Sequence, residues 1–107
     1  MQRRILIAED NLEISDTMRN YLIRAGYVVS QAFDGGDAIE QARRLSPDLI
    51  LLDIMMPVAD GYEVCESIRR DMNIPMIVVS AKVAEEDKIR LFELGADDYI
   101  TKPFSFK

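Results

Sequence analysis

Glu9-Asp10, Asp53 and Ser80 each close or follow a short apolar run, Ile5-Leu-Ile-Ala8, Leu49-Ile-Leu-Leu52 and Met76-Ile-Val-Val79, and Lys102 follows Tyr99-Ile-Thr101. If those runs are neighbouring strands, three carboxylates share one crevice and repel each other. A divalent cation relieves such a cluster, and three oxygens leave Mg²⁺ several positions for water or phosphate. Lys102 adds a compact positive charge able to meet a phosphate. Ser80 adds a hydroxyl that can donate to a phosphoryl oxygen. A carboxylate, a hard cation, an ammonium and a hydroxyl together suit phosphoryl transfer, which depends on positioning and charge neutralisation. The chain has no histidine, so the commonest general base and the usual transition-metal ligand are missing. Any metal is therefore expected to be a hard, oxygen-bound cation, with Mg²⁺ leading. Taken singly, each acidic residue has a plainer reading as a turn former or helix cap. Their joint appearance in strand order is what points to chemistry.

The elements that must position these residues follow from hydrophobic period. Arg4 to Ala8 reads as a buried strand. A helix follows, with Asn11 as its cap and Ile14, Met18 and Leu22 recurring on one face, and it stops at Ala25-Gly26. Tyr27 to Phe33 is a less apolar strand, expected at an edge. Ala38 to Leu45 is a helix closed by Ser46-Pro47, and Asp48 to Asp53 a strand covered on both faces. A loop over 56–61 leads to a helix from Tyr62 to Arg70, then a strand from Pro75 to Ser80. A helix from about Glu85 to Leu94 and a short strand from Asp98 to Thr101 complete the order. Alternation of this kind means parallel crossovers of right hand, hence an α/β, doubly wound five-stranded parallel sheet. In such sheets ligands sit beyond the carboxyl ends of the strands, where the polar residues lie.

At 107 residues the chain reads as a single domain, 1–107. It is 49% hydrophobic and 30% charged, an ordinary globular balance. No apolar run approaches the roughly 20 residues of a membrane span, and no secretory signal opens the chain. One cysteine, Cys65, allows no internal disulfide, which fits a reducing, cytoplasmic setting. The net charge of −6 argues against direct nucleic-acid contact by this domain. Cys65 and Ile68 fall on one helix face, which predicts a buried, inert thiol.

Over essentially its whole length the chain resembles the receiver domain of bacterial two-component response regulators. The likeness rests on Leu6-Ile-Ala-Glu-Asp10, on Leu51-Leu-Asp-Ile-Met-Met-Pro57 with Asp60-Gly61, on Val79-Ser-Ala81 and on Gly95-Ala-Asp-Asp-Tyr-Ile-Thr-Lys-Pro-Phe104. It implies a flavodoxin-like strand order of 2-1-3-4-5. It further implies that Asp53 accepts a phosphoryl group from a sensor histidine kinase or a small phosphodonor. Asp10, Asp53 and the Met55 carbonyl would ligate Mg²⁺, with Glu9 acting largely through water. Lys102 would pair with the phosphoryl oxygens, and Ser80 and Tyr99 would form the switch pair. Met55 and Lys82 would flank the attacking water, and neither orients water well, so slow self-dephosphorylation is expected. Without the resemblance Tyr99 would read as ordinary packing.

Glu85-Glu-Asp-Lys88 and Asp97-Asp98 are similar to the OmpR/PhoB type, whose receivers precede a winged-helix DNA-binding domain and pair through a charged face. That likeness implies transcription regulation, and places Lys88 and Asp97 on a dimer face. The Glu85 to Lys88 charges would equally suit a solvated helix surface. The chain stops at Lys107, where a fifth helix is expected, and so reads as truncated before its last helix. The sheet face left bare is expected to promote a homodimer or other self-association. A phosphorylation-independent interaction module is disfavoured, because the acidic pair and the lysine are all present. A Mg²⁺-dependent phosphohydrolase is disfavoured too, since Met55 stands where such enzymes carry a second aspartate. The domain is therefore not expected to turn over an external substrate.

Overall fold

The computed structural model describes residues 3–53, 61–80, 89, 93 and 96–101, with Ser80 and 98–101 described by their backbone. The strands are β1 (Arg4–Ala8), β2 (Val28–Ala32), β3 (Leu49–Leu52), β4 (Met76–Ser80) and β5 (Asp98–Thr101). The helices are α1 (Leu12–Arg24), α2 (Gly35–Leu45) and α3 (Gly61–Asp71). The strands form one five-stranded sheet in the order β2-β1-β3-β4-β5, with every pair parallel. Of the loop expected over 56–61, residues 56–60 lie outside the described residues, and Gly61 already opens α3. The expected helix over 85–94 also lies outside them, apart from Ile89 and Glu93, which are both helical.

Strand register sorts the apolar residues onto two faces. Leu6, Ile50 and Met76 are aligned across β1, β3 and β4, as are Ala8, Leu52 and Val78. All six are fully buried, and they form the main core with Ala38 and Ala42 of α2 and Val64, Cys65 and Ile68 of α3. On the opposite face α1 packs on β1 and β2, where Ile5 and Ile7 are buried. There Leu49, Leu51 and Ile77 are only half-buried. The expectation that β3 is covered on both faces therefore holds for one of them. The second is shielded in part, because α1 lies over the neighbouring strands.

Helix ends explain most of the boundaries. Asn11 caps α1, its side-chain oxygen accepting the Ile14 N–H at 3.0 Å. At the other end, Tyr27 N–H donates to Leu22 O at 3.1 Å and Gly26 N–H to Ile23 O at 3.0 Å. This double closure needs a left-handed residue after the cap, and Gly26 has φ +99°. The second helix begins at Gly35, three residues earlier than its apolar period suggests. Asp34 accepts the Asp37 N–H at 2.8 Å, and a cap of that kind, worth about 1 kcal/mol, offsets much of the glycine penalty in the first turn. Ser46 ends α2 at φ 45°, and Pro47 then forbids continuation. Strand β2 is an edge, as expected. Gln41 of α2 donates to the Gln31 carbonyl at 2.9 Å, capping one backbone acceptor of that strand.

Candidate functional site

The sheet ladder delivers the carboxylates. Ala8 of β1 is aligned with Leu52 of β3, so Glu9 and Asp53 are the next residues on adjacent parallel strands. Two backbone bonds carry the alignment one step past the strand ends. Asp53 N–H donates to Ala8 O at 2.9 Å, and Glu9 N–H to Ala32 O at 3.0 Å. One carboxylate oxygen each from Glu9, Asp10 and Asp53 can be chosen so that all lie within 4.8 Å of one another. Glu9 is 1% exposed and Asp53 6% exposed, so they form the floor of the crevice. Asp10 is exposed at its rim. Glu9 Oε2 accepts the Asn11 N–H at 3.1 Å, which fixes one oxygen of that floor.

Three carboxylate oxygens converging in this way suit a small hard cation. Mg²⁺ commonly takes one or two carboxylates and keeps the rest of its positions for water and phosphate. Zinc would want imidazole or thiolate, and the chain has no histidine. The residues present fit Mg²⁺.

The other expected members of the site are placed less fully. Val78 is aligned with Leu52, so Ser80 lies two residues beyond that level on the strand beside Asp53. Ser80 is in turn aligned with Thr101 at the end of β5. Lys102 is the next residue, and it lies outside the described residues, as do Met55 and Lys82. Tyr99 is on β5, aligned with Val78. The backbone thus brings the expected switch strand next to the strand that bears the serine.

Asp97, expected on a dimer face, has bonds within the protomer. Its Oδ2 accepts from Arg69 Nη2 at 3.0 Å and from the Met76 N–H at 2.8 Å. Arg69 also donates to the Ile74 carbonyl at 2.9 Å. The end of α3 is thereby tied to the entry of β5. Apolar period carries no sign of this link, because it joins surface polar groups 28 residues apart.

Cys65 lies in the core with no exposed surface. Burial pushes its thiol up from 9.0 to about 11, against a smaller downward pull from Arg69, with Asp97 adding a further rise. The thiol is therefore neutral at physiological pH and a poor nucleophile. Because the folded value is the higher one, its contribution to stability is present below pH 9 and is lost as pH rises towards about 11.

Among the described residues no helix is long and apolar enough to cross a membrane. The family described as response regulator receiver domain matches residues 5–107. Among solved structures, the receiver domain of the Francisella response regulator 1452 is 34% identical with a TM-score of 0.92, covering 97% of this chain and 87% of that one. The BeF3-activated N-terminal receiver domain of Klebsiella pneumoniae RstA is 32% identical at a TM-score of 0.91, covering 96% and 88%. The Vibrio cholerae chemotaxis protein CheY4 is 28% identical at 0.93, covering 98% and 90%.

Proposed function

Because the chain belongs to the response regulator receiver domain family, and is thus a phosphoryl-accepting switch of two-component signalling, we propose that Asp53 is its acceptor and that Mg²⁺ assists the transfer. The observation that carries this reading is the convergence of Glu9, Asp10 and Asp53 at the carboxyl ends of two central strands. Asp10 and Asp53 would hold the cation with the Met55 carbonyl, and Glu9 would act largely through water. The bound cation would neutralise charge on the transferring group. An oxygen of the Asp53 carboxylate attacks phosphorus, and the bond from phosphorus to the donor breaks. The electron pair leaves with the histidine nitrogen of a partner kinase, or with the acyl oxygen of a small donor such as acetyl phosphate. Lys102 pairs with the phosphoryl oxygens, and as the switch the Ser80 hydroxyl moves toward the phosphoryl group while the Tyr99 ring turns inward. Phosphorylation then shifts a population between two arrangements.

The product is a mixed anhydride, and hydroxylamine attacks such an acyl carbon. A phosphorylated sample treated with hydroxylamine is expected to yield a hydroxamate in the peptide holding Asp53. A hydroxamate elsewhere, or a phosphoryl group stable to hydroxylamine, would overturn the assignment. The chain would turn over no substrate beyond its own phosphorylation and dephosphorylation.

Several finer features belong to the same reading. The Glu85 to Lys88 and Asp97-Asp98 segments support an OmpR/PhoB-type regulator acting in the cytoplasm on transcription through a DNA-binding effector, with no DNA contact by this domain. Half-buried Leu49, Leu51 and Ile77 on one sheet face support self-association. Sedimentation at high concentration is expected to give a mass above that of one chain, and a strictly monomeric mass would contradict it.

A further inference from the structure

We infer that Asn11 is a positioning residue for the cation site, its helix cap holding the loop that presents Glu9 and Asp10. The inference rests on the Mg²⁺ reading of that site. Glu9-Asp10-Asn11 is the short link between β1 and α1, and it supplies two of the three clustered carboxylates. Its first residue is anchored by the Glu9 N–H bond to Ala32 O. Its last is anchored by the cap. Asn11 Oδ1 accepts from Ile14 N–H at 3.0 Å, and the Asn11 carbonyl accepts from Ser15 N–H at 2.9 Å.

These two bonds hold Asn11 in an extended conformation, at φ −76° and ψ 112°. In that conformation its own N–H reaches back to Glu9 Oε2 at 3.1 Å. Glu9 is 1% exposed, so this donor satisfies one oxygen of a carboxylate shielded from bulk solvent. Outer-sphere donors of this kind set the orientation of metal-binding carboxylates. Here the donor is a main-chain group, and the side chain acts on it through the cap. Since its oxygen is engaged by Ile14, Asn11 acts on the cluster without supplying that oxygen to a cation.

The test is calorimetric titration of MgCl₂ into the unphosphorylated chain, alongside thermal melts, for the parent, Asn11→Ala, Asn11→Ser and Ile68→Val. Alanine removes the cap acceptor while serine keeps one. Ile68 is buried in α3 and belongs neither to the carboxylate cluster nor to its link, so Ile68→Val lowers stability to a similar degree by core loss. Asn11→Ala is expected to weaken Mg²⁺ binding about tenfold, the lower end for loss of outer-shell support. Asn11→Ser should bind within about twofold of the parent, and Ile68→Val like the parent despite its lower melting temperature. If Asn11→Ala melts lower yet binds Mg²⁺ like the parent, Asn11 is a cap only and the inference is overturned. Equal weakening by Ile68→Val would overturn it too, by tracing the effect to stability. A parent chain that binds no Mg²⁺ would instead overturn the metal reading of the whole site, and this inference with it.

Discussion

Asp10→Asn is expected to slow phosphoryl uptake from acetyl phosphate, at fixed Mg²⁺, by about a hundredfold to a thousandfold. The substitution keeps the size of the side chain and removes one of the three negative charges that lie together. Asp10 is exposed at the rim of the crevice, so the fold itself should be untouched. On the proposed reading, the substitution removes a direct ligand, and with it charge neutralisation that lets an anionic carboxylate approach an anionic phosphoryl group. Raising MgCl₂ should recover part of the rate, because a weakened site still fills by mass action. Stopped-time mass spectrometry measures the rate directly. Uptake at the parent rate, with no change in Mg²⁺ dependence, would remove Asp10 from the site.

The second large effect is on stability. Leu6 lies in the middle of β1 between β2 and β3, with no exposed surface, and on its face it is aligned with Ile50. Shortening it to alanine leaves a cavity in the main core, because both its strand neighbours and the helices above are fixed by their own packing. The expected cost is about 2–5 kcal/mol, against a total of about 5–15 kcal/mol for a domain. For about 100 residues each kcal/mol moves the melting temperature by about 4–8 °C. Leu12→Ala provides the contrast: Leu12 is 61% exposed, and its loss should stay within about 0.5 kcal/mol. Thermal melts followed by circular dichroism check both, and similar melting temperatures for the two variants would contradict the placement of the core.

The readable parts of this protein are those set by period and strand ends. The Leu6 and Ile50 runs give the central strands because buried parallel strands must be apolar throughout. Glu9, Asp10 and Asp53 can be picked out because a carboxylate directly after such a run has to sit at a sheet end. The start of α2 is harder to read, since Gly35-Gly36 resembles a turn, and the bonds from Asp37 N–H and Ala38 N–H to Asp34 show otherwise. The Arg69–Asp97 link is invisible for a different reason: it depends on how α3 lies against the start of β5, and no local pattern encodes that. The Asn11 N–H bond to Glu9 falls between these cases. Asn11 is legible as a cap, but the direction of its N–H follows from the backbone conformation that the cap enforces.

The central claim is that Asp53 takes a phosphoryl group, and intact mass after incubation with MgCl₂ and acetyl phosphate tests it most directly, with Asp53→Ala alongside. The parent is expected to gain the mass of one phosphoryl group and the variant none. A folded, Mg²⁺-binding parent that gains nothing, or a variant that gains the same mass, would contradict it.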